Sequence, residues 1–268
     1  MKTYIVEGGI GKQIAFTAVI DALSKRDNDK IQVYTPHLAP FISNPSVHLV
    51  LDQQTLPLND PRILGTDIIY CEPYKSNWVR GEEHLIESYC KLLGIEYAEE
   101  MRPNLFTEFA KQEAKKLAAD IERDFVIVQF FGGQPPGSNG GYQSTNPGRN
   151  YPHYLAQIVV NELSKDFDVL NFGHQNEPEF LNSRRLECSI PVLHELLKLS
   201  RTFVSIDSCL QHCAVSANKS GVVIWGNTKA NQSGYIIHNN LCEDYDVADP
   251  RRVMVDPEKI MEAIHQPY

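Results

Sequence analysis

Short apolar runs bounded by glycine, proline and polar turns recur along this chain, and between them lie stretches with apolar residues at three- and four-residue spacing. That alternation predicts strands and helices in turn, and so a parallel sheet with covered faces. Tyr4 to Val6 reads as a strand, followed by a glycine turn from Glu7 to Lys12 and a helix to about Lys25. Ile31 to Tyr34, His48 to Leu51 and Asp67 to Tyr70 read as further strands. Gly81 to Leu93 reads as a helix with Leu85, Ile86, Tyr89, Leu92 and Leu93 on one face and Gly94 as its cap. The polar, proline-containing stretch YAEEMRPN follows, then a lysine-rich amphipathic helix from Leu105 to Ile121.

The pattern then starts again with a strand over 125–130, a Gly/Pro/Asn loop, a helix over 152–165, a strand over 168–172 and a helix over 192–200. A boundary between residues 100 and 122 divides the chain into units 1–110 and 111–268. The fold class expected is α/β, two Rossmann-like domains facing a central cleft, with the ligand in that cleft. The rest of the chain is organised around Phe203 to Thr228: a buried strand, the polar pair Asp207 and Ser208, a short helix from Cys209 to Asn218, a second buried strand from Gly221 to Trp225, and the turn Gly226, Asn227, Thr228. Parallel sheets bind ligands at the carboxyl ends of their strands, where both polar turns lie.

Composition narrows the function classes. At 268 residues, 42% hydrophobic and 22% charged, the chain can bury one large α/β domain or two ordinary ones. Nothing reaches the apolar length of a membrane span, and the N-terminus runs straight into a strand, so a cytoplasmic protein without stable membrane insertion is expected. The six cysteines show no regular spacing and read as buried thiols. A net charge of −9 argues against a broad nucleic-acid-binding face, though not against a local basic cleft.

Several residues are candidates for chemistry, each with a plainer reading beside it. Gly8, Gly9, Gly11 and Lys12 form a turn before a helix N-terminus, a place that favours an anion. The turn is neither a P-loop nor GxGxxG, because the spacing is wrong and Gln13 stands where the magnesium hydroxyl would be; a tight βα turn is the plainer reading. Asp207 and Ser208 could be an ordinary N-cap, His212 a satisfied core histidine and Arg149 a solvated loop charge. Asp244 to Asp246 is a DxD in an acidic run, better read as a solvated loop than as a metal site. Cys209, His212 and Cys213 have helical spacing but no fourth ligand. The loop from Gly132 to Arg149 is long enough to cover a bound substrate, or is an unstructured insertion.

GGIGK after the first strand, HLIESYCKLLGIE, GRNYP, and D-S-x-x-x-H-x-A followed by W-G-N-T together resemble the heptosyltransferase family, glycosyltransferase family 9. The resemblance implies the GT-B fold and transfer of a sugar from a nucleotide-diphosphate donor to an acceptor hydroxyl, inverting and without a metal or other cofactor. It sets Asp207, Ser208 and His212 against the donor's sugar and phosphates, Asp207 with a catalytic role, and Arg149 where the family has a lysine near the diphosphate. Gly226, Asn227 and Thr228 complete the donor side, and the second domain holds the donor while the first holds the acceptor.

Lys12 stands where many members carry the aspartate expected to act as general base, and a charged lysine cannot replace it. Glu7 is the nearest carboxylate and the expected base, while Gly8, Gly9, Gly11 and Lys12 hold phosphate or acceptor. The expected acceptor is a bacterial glycan such as lipopolysaccharide core. A hydroxymethylated pyrimidine in DNA, as some phage enzymes use, is the alternative, with Lys12, Lys75, Arg80 and Trp78 as its surface. A nucleotide-sugar epimerase and a non-catalytic nucleotide-sugar-binding protein are the readings from other classes.

Overall fold

The structure, a computed structural model, describes residues 2–132, 147–174, 176–243 and 253–265. Most of the loop between Gly132 and Arg149, and the Asp244 to Asp246 motif, lie outside the described residues. The chain divides into two compact units, Met1–Glu108 and Phe109–Tyr268.

The first unit is a four-stranded sheet of β1 (Lys2–Ile5), β2 (Ile31–Thr35), β3 (Val47–Asp52) and β4 (Asp67–Tyr70) in the order β3-β2-β1-β4. All its pairings are parallel, with Tyr4 opposite Val33 on one side and Ile69 on the other. Helix α1 (Ile10–Asp27) is buried along nearly its whole length: Ile14, Ala15, Phe16, Val19, Ile20 and Leu23 are fully enclosed. It therefore lacks the polar stripe of a surface helix. A single helical turn, α2 (Pro61–Leu64), precedes β4.

Helix α3 (Leu85–Leu93) begins four residues later than the apolar pattern predicts. His84 caps it by accepting from the Ile86 amide, and Gly81, at φ 73°, closes a separate 3-10 turn over Asn77–Arg80. Its Tyr89 packs edge-on against Phe16 at 5.2 Å.

The second unit holds six parallel strands: β5 (Phe125–Gln129), β6 (Asp168–Phe172), β7 (Arg184–Leu186), β8 (Thr202–Ile206), β9 (Val222–Ile224) and β10 (Asn239–Leu241). Their order is β10-β9-β8-β5-β6-β7. Every residue of β5 is buried, as a strand covered on both faces must be. Val126, Val128, Val204, Val222 and Ile224 share a core with α5 (His153–Leu163) and α9 (Pro257–His265). Helices α4 (Lys111–Ala119), α6 (Ile190–Leu199) and α7 (Cys209–Ser216) pack in series, α4 on α6 and α6 on α7. A short helix, α8 (Ala230–Ser233), follows β9.

Helix α4 starts at Lys111, not at Leu105 as its amphipathic pattern predicts. Residues 101–107 run without regular structure, and a 3-10 turn over Glu108–Ala110 precedes the helix. Among the described residues, no helix is long and apolar enough to cross a membrane.

Candidate functional site

In the second unit the chain leaves β5 for β6 and β7 on one side, then returns to β8, β9 and β10 on the other. The carboxyl ends of β5 and β8 therefore flank a topological switch point, where crossovers diverge and leave a crevice. Ser208 bridges it: its hydroxyl donates to Gln129 Oε1 at 2.6 Å and accepts from the Leu210 amide at 3.3 Å. The N-cap reading of Ser208 is thus correct, and the cap also ties two strand ends together.

Asp207 is buried, and both its oxygens accept from side chains of the protein. Gln211 donates to Oδ1 at 2.8 Å, and the Thr228 hydroxyl donates to Oδ2 at 2.7 Å. In this arrangement Asp207 is a brace between the ends of β8 and β9. Arg149 Nε donates to the Asp207 carbonyl oxygen. The Asn227 amide donates to the Gly148 carbonyl at 3.1 Å. A Cβ on Gly226 would collide with that same Gly148 carbonyl, so the turn carrying Arg149 seats on β9 only because residue 226 is glycine. Arg149, Asp207, Ser208, Gly226, Asn227 and Thr228 are thus brought together at one edge.

His212 is one helical turn further along α7. It is buried, its Nδ1 lies 2.8 Å from the Tyr235 hydroxyl, and the two rings meet edge to face at 5.5 Å. That is the packed core histidine of the plainer reading. Among the described residues no group of three or more His, Cys, Asp or Glu could hold a metal ion, so Cys209, His212 and Cys213 do not make such a set.

The sequence reading missed Glu177. It follows the second strand of this sheet, at the same carboxyl edge, and is 4% exposed. Its Oε1 has no hydrogen-bond partner among the described residues. Burial pushes its carboxyl up to about 7. Arg185 lies beside it but donates to the His174 and Glu177 carbonyls, at 2.8 and 2.7 Å. A lone acid after the second strand, near a glycine, was the available signal.

The first unit has its own switch point, between β1 and β4. Gly8 takes φ 90°, which glycine tolerates, and the Lys12 side chain folds back into the space a Cβ there would occupy. The helix starts at Ile10, so Gly11 and Lys12 belong to its first turn, while Gly9 is its N-cap. Gln13 is structural: it donates to the Val6 carbonyl at 2.8 Å and accepts from Thr35. Glu7 is exposed. Lys12 is 8% exposed, its Nζ 3.4 Å from Glu72 Oε1 and 3.8 Å from the Tyr74 ring centroid. Burial pulls the Lys12 pKa down, and the charges of Glu72 and Glu7 oppose that pull. Glu72 also went unnoticed in the sequence, because its partner is distant in the chain.

No protein-family model and no curated protein sequence matches the chain. Solved structures do. The ADP-heptose lipopolysaccharide heptosyltransferase II of E. coli superposes with TM-score 0.71 at 17% identity, over 98% of this chain and 97% of that one. A glycosyltransferase family 9 protein from Veillonella parvula gives 0.69 at 12%, over 98% and 95%. The iron-containing dodecameric glycosyltransferase TibC of enterotoxigenic E. coli gives 0.68 at 12%, over 98% of this chain and 74% of that one. The two Rossmann-like units of this α/β chain therefore have the GT-B fold in the form shared by heptosyltransferases and family 9 glycosyltransferases.

Proposed function

We propose that the chain is a heptosyltransferase-like glycosyltransferase, which moves a sugar from a nucleotide-diphosphate sugar to the hydroxyl of a bacterial glycan such as lipopolysaccharide core. The observation that carries this is the carboxyl edge of the six-stranded sheet, where Arg149, Ser208, Asn227, Thr228 and the buried Glu177 converge on one switch point. A donor nucleotide needs two kinds of recognition: an acceptor for the ribose diol, and positive potential for the diphosphate. Glu177 supplies the first, with a buried oxygen lacking a partner among the described residues. Arg149 and the amino end of α7 supply the second.

Transfer proceeds by one displacement. The acceptor oxygen attacks the anomeric carbon from the face opposite the leaving group, the carbon–oxygen bond to phosphate breaks, and the diphosphate departs with the electron pair. Charge grows on that diphosphate in the transition state, where a guanidinium can stabilise it without a metal. Asp207 holds Thr228 and Gln211 in position and leaves the proton transfer to another group. His212 supports α7 through Tyr235.

The test is a panel of nucleotide sugars incubated with the chain in chelator, read for nucleotide diphosphate release with and without glycan acceptors. Acceptor-dependent release is expected, falling about a hundredfold or more in kcat in Arg149→Ala. Asp207→Ala is expected to lose donor binding as the brace collapses. Sugar conversion without an acceptor would point to an epimerase, and donor binding without turnover to a non-catalytic binder.

A further inference from the structure

An open sheet has two edge strands, and each leaves half of its backbone donors and acceptors unpaired. Three of the edges in this chain are blunted. β7 and β10 are three-residue strands, two Arg or two Asn before a leucine, and β3 exposes only His48. The remaining edge is β4 (Asp67–Tyr70) of the first unit. Among the described residues, its Ile68 and Tyr70 are the only large apolar side chains on any strand that are exposed, Tyr70 to 57%. The strand has no proline or lysine, pairs with β1 without a bulge, and carries one charge, Asp67.

The direction of its backbone groups follows from one bond. The Cys71 amide donates to the Ile5 carbonyl at 2.9 Å, so at alternate positions Ile69 and Asp67 also turn their groups toward β1. Those of Ile68 and Tyr70 therefore point out of the sheet, and none has a hydrogen-bond partner among the described residues. Two amides and two carbonyls at this spacing are what another strand takes up.

The flanking residues fit a second copy of the same strand. Laid antiparallel about a two-fold axis through Ile69, Ile68 of each copy faces Tyr70 of the other, and every outward group finds a partner. A β-branched residue opposite an aromatic one is a favourable cross-strand pair. Leu64, just before β4 and 63% exposed, comes toward the end of the partner strand where the exposed Tyr74 follows. Charge selects the same direction. Asp67 opens the strand and Lys75 lies beyond its far end, and neither has an ion-pair partner among the described residues. Antiparallel pairing brings these opposite ends together, whereas a parallel pair would set Asp67 beside Asp67. Glu72, the acid at the Lys75 end, already has the Lys12 ammonium 3.4 Å away.

We propose that the chain forms a symmetric dimer through β4, in which the four-stranded sheets of two copies join across an antiparallel Ile68–Tyr70 ladder. The surface lies wholly within the first unit and needs no substrate.

Sedimentation velocity on the full chain tests it, and because one short strand pair makes a small interface, the series runs up to about 100 µM. A reversible monomer–dimer equilibrium is expected. Tyr70→Lys is expected to raise its dissociation constant at least tenfold, as lysine on an edge strand opposes pairing. Asp67→Lys is expected to weaken it as well, by setting lysine against lysine. Asp67→Lys combined with Lys75→Asp is expected to restore it. The Ile69→Cys variant reads the register, because across the axis the two Cα atoms of a non-hydrogen-bonded pair lie about 4.5 Å apart, within disulfide reach. Diamide is expected to link its copies on a non-reducing gel at least ten times faster than it links wild type.

A monomer at every concentration, or a dimer unmoved by Tyr70→Lys, overturns the surface. A dimer lost in Tyr70→Lys with no faster link in Ile69→Cys overturns the strand pairing in favour of a side-chain contact. Failure of the double charge exchange to restore association overturns the antiparallel direction, and growth past the dimer overturns the two-fold closure. Urea midpoints of each variant separate lost association from lost folding, and the charge exchange decides the matter should Tyr70→Lys unfold.

Discussion

Glu177 and His238 are buried groups whose protonation is displaced in opposite directions, and their effects on stability oppose each other. Burial raises Glu177 from 4.5 to about 7, so its acid form is favoured in the fold. Below pH 4.5 it costs nothing; as pH rises to about 7 the unfolded chain ionises first and stability falls. Burial lowers His238 from 6.5 to about 4, so its neutral form is favoured. Above pH 6.5 it costs nothing; as pH falls toward 4 the unfolded chain takes up the proton and stability falls again. Each displacement corresponds to up to about 3 kcal/mol. Denaturant titrations between pH 4 and 7 are therefore expected to show stability rising with pH more steeply in Glu177→Gln than in wild type, and less steeply in His238→Gln. Donor nucleotide is expected to bind more tightly as pH rises through about 7, when Glu177 becomes the better acceptor, and Glu177→Gln is expected to remove that dependence in calorimetry.

Among the elements, the turn after β9 gives the sharpest prediction. An added methyl at Gly226 meets the Gly148 carbonyl, with Val253 Cβ 3.1 Å away on another side. Gly226→Ala should displace the 147–149 turn and Arg149 with it, weakening nucleotide-diphosphate binding at least tenfold and lowering stability by about 1–3 kcal/mol. Isothermal titration and urea unfolding measure the two. Elements like β8, β9 and α7 were legible because short β-branched runs end at polar pairs. Strands β7 (Arg184–Leu186) and β10 (Asn239–Leu241) were not, since three mostly polar residues at a sheet edge carry no apolar alternation. The late starts of α3 and α4 were hidden for different reasons: the backbone of α3 is set by capping at His84 after a polar stretch, and apolar spacing continues upstream of α4 to Leu105 although Glu108–Ala110 form a separate 3-10 turn.

At the scale of the whole molecule, charge sets one expectation. With a net charge of −9 the chain is expected to leave unmodified duplex DNA unbound at physiological salt in a filter-retention assay, where a DNA-modifying enzyme would show non-specific binding of about 10⁻⁴–10⁻⁶ M. The candidate site is also a property of the whole chain. Asp207, Ser208, Asn227 and Thr228 could be read locally because they end strands within one βαβ unit. Glu177 and Glu72 could not, because each is a single acid whose meaning depends on which strands become neighbours. Both sheets pair their strands only in parallel among the described residues, and this reaches beyond the folded state. Val126 needs both Val169 and Thr202 opposite it before the middle of its sheet is complete. A ribosome delivers Thr202 long after β5 has emerged, so the nascent chain carries Phe125 to Val128 with one flank unpaired for much of its synthesis. Chaperone dependence during translation, and slow refolding from denaturant, are the expected consequences of a sheet whose described strands pair only in parallel.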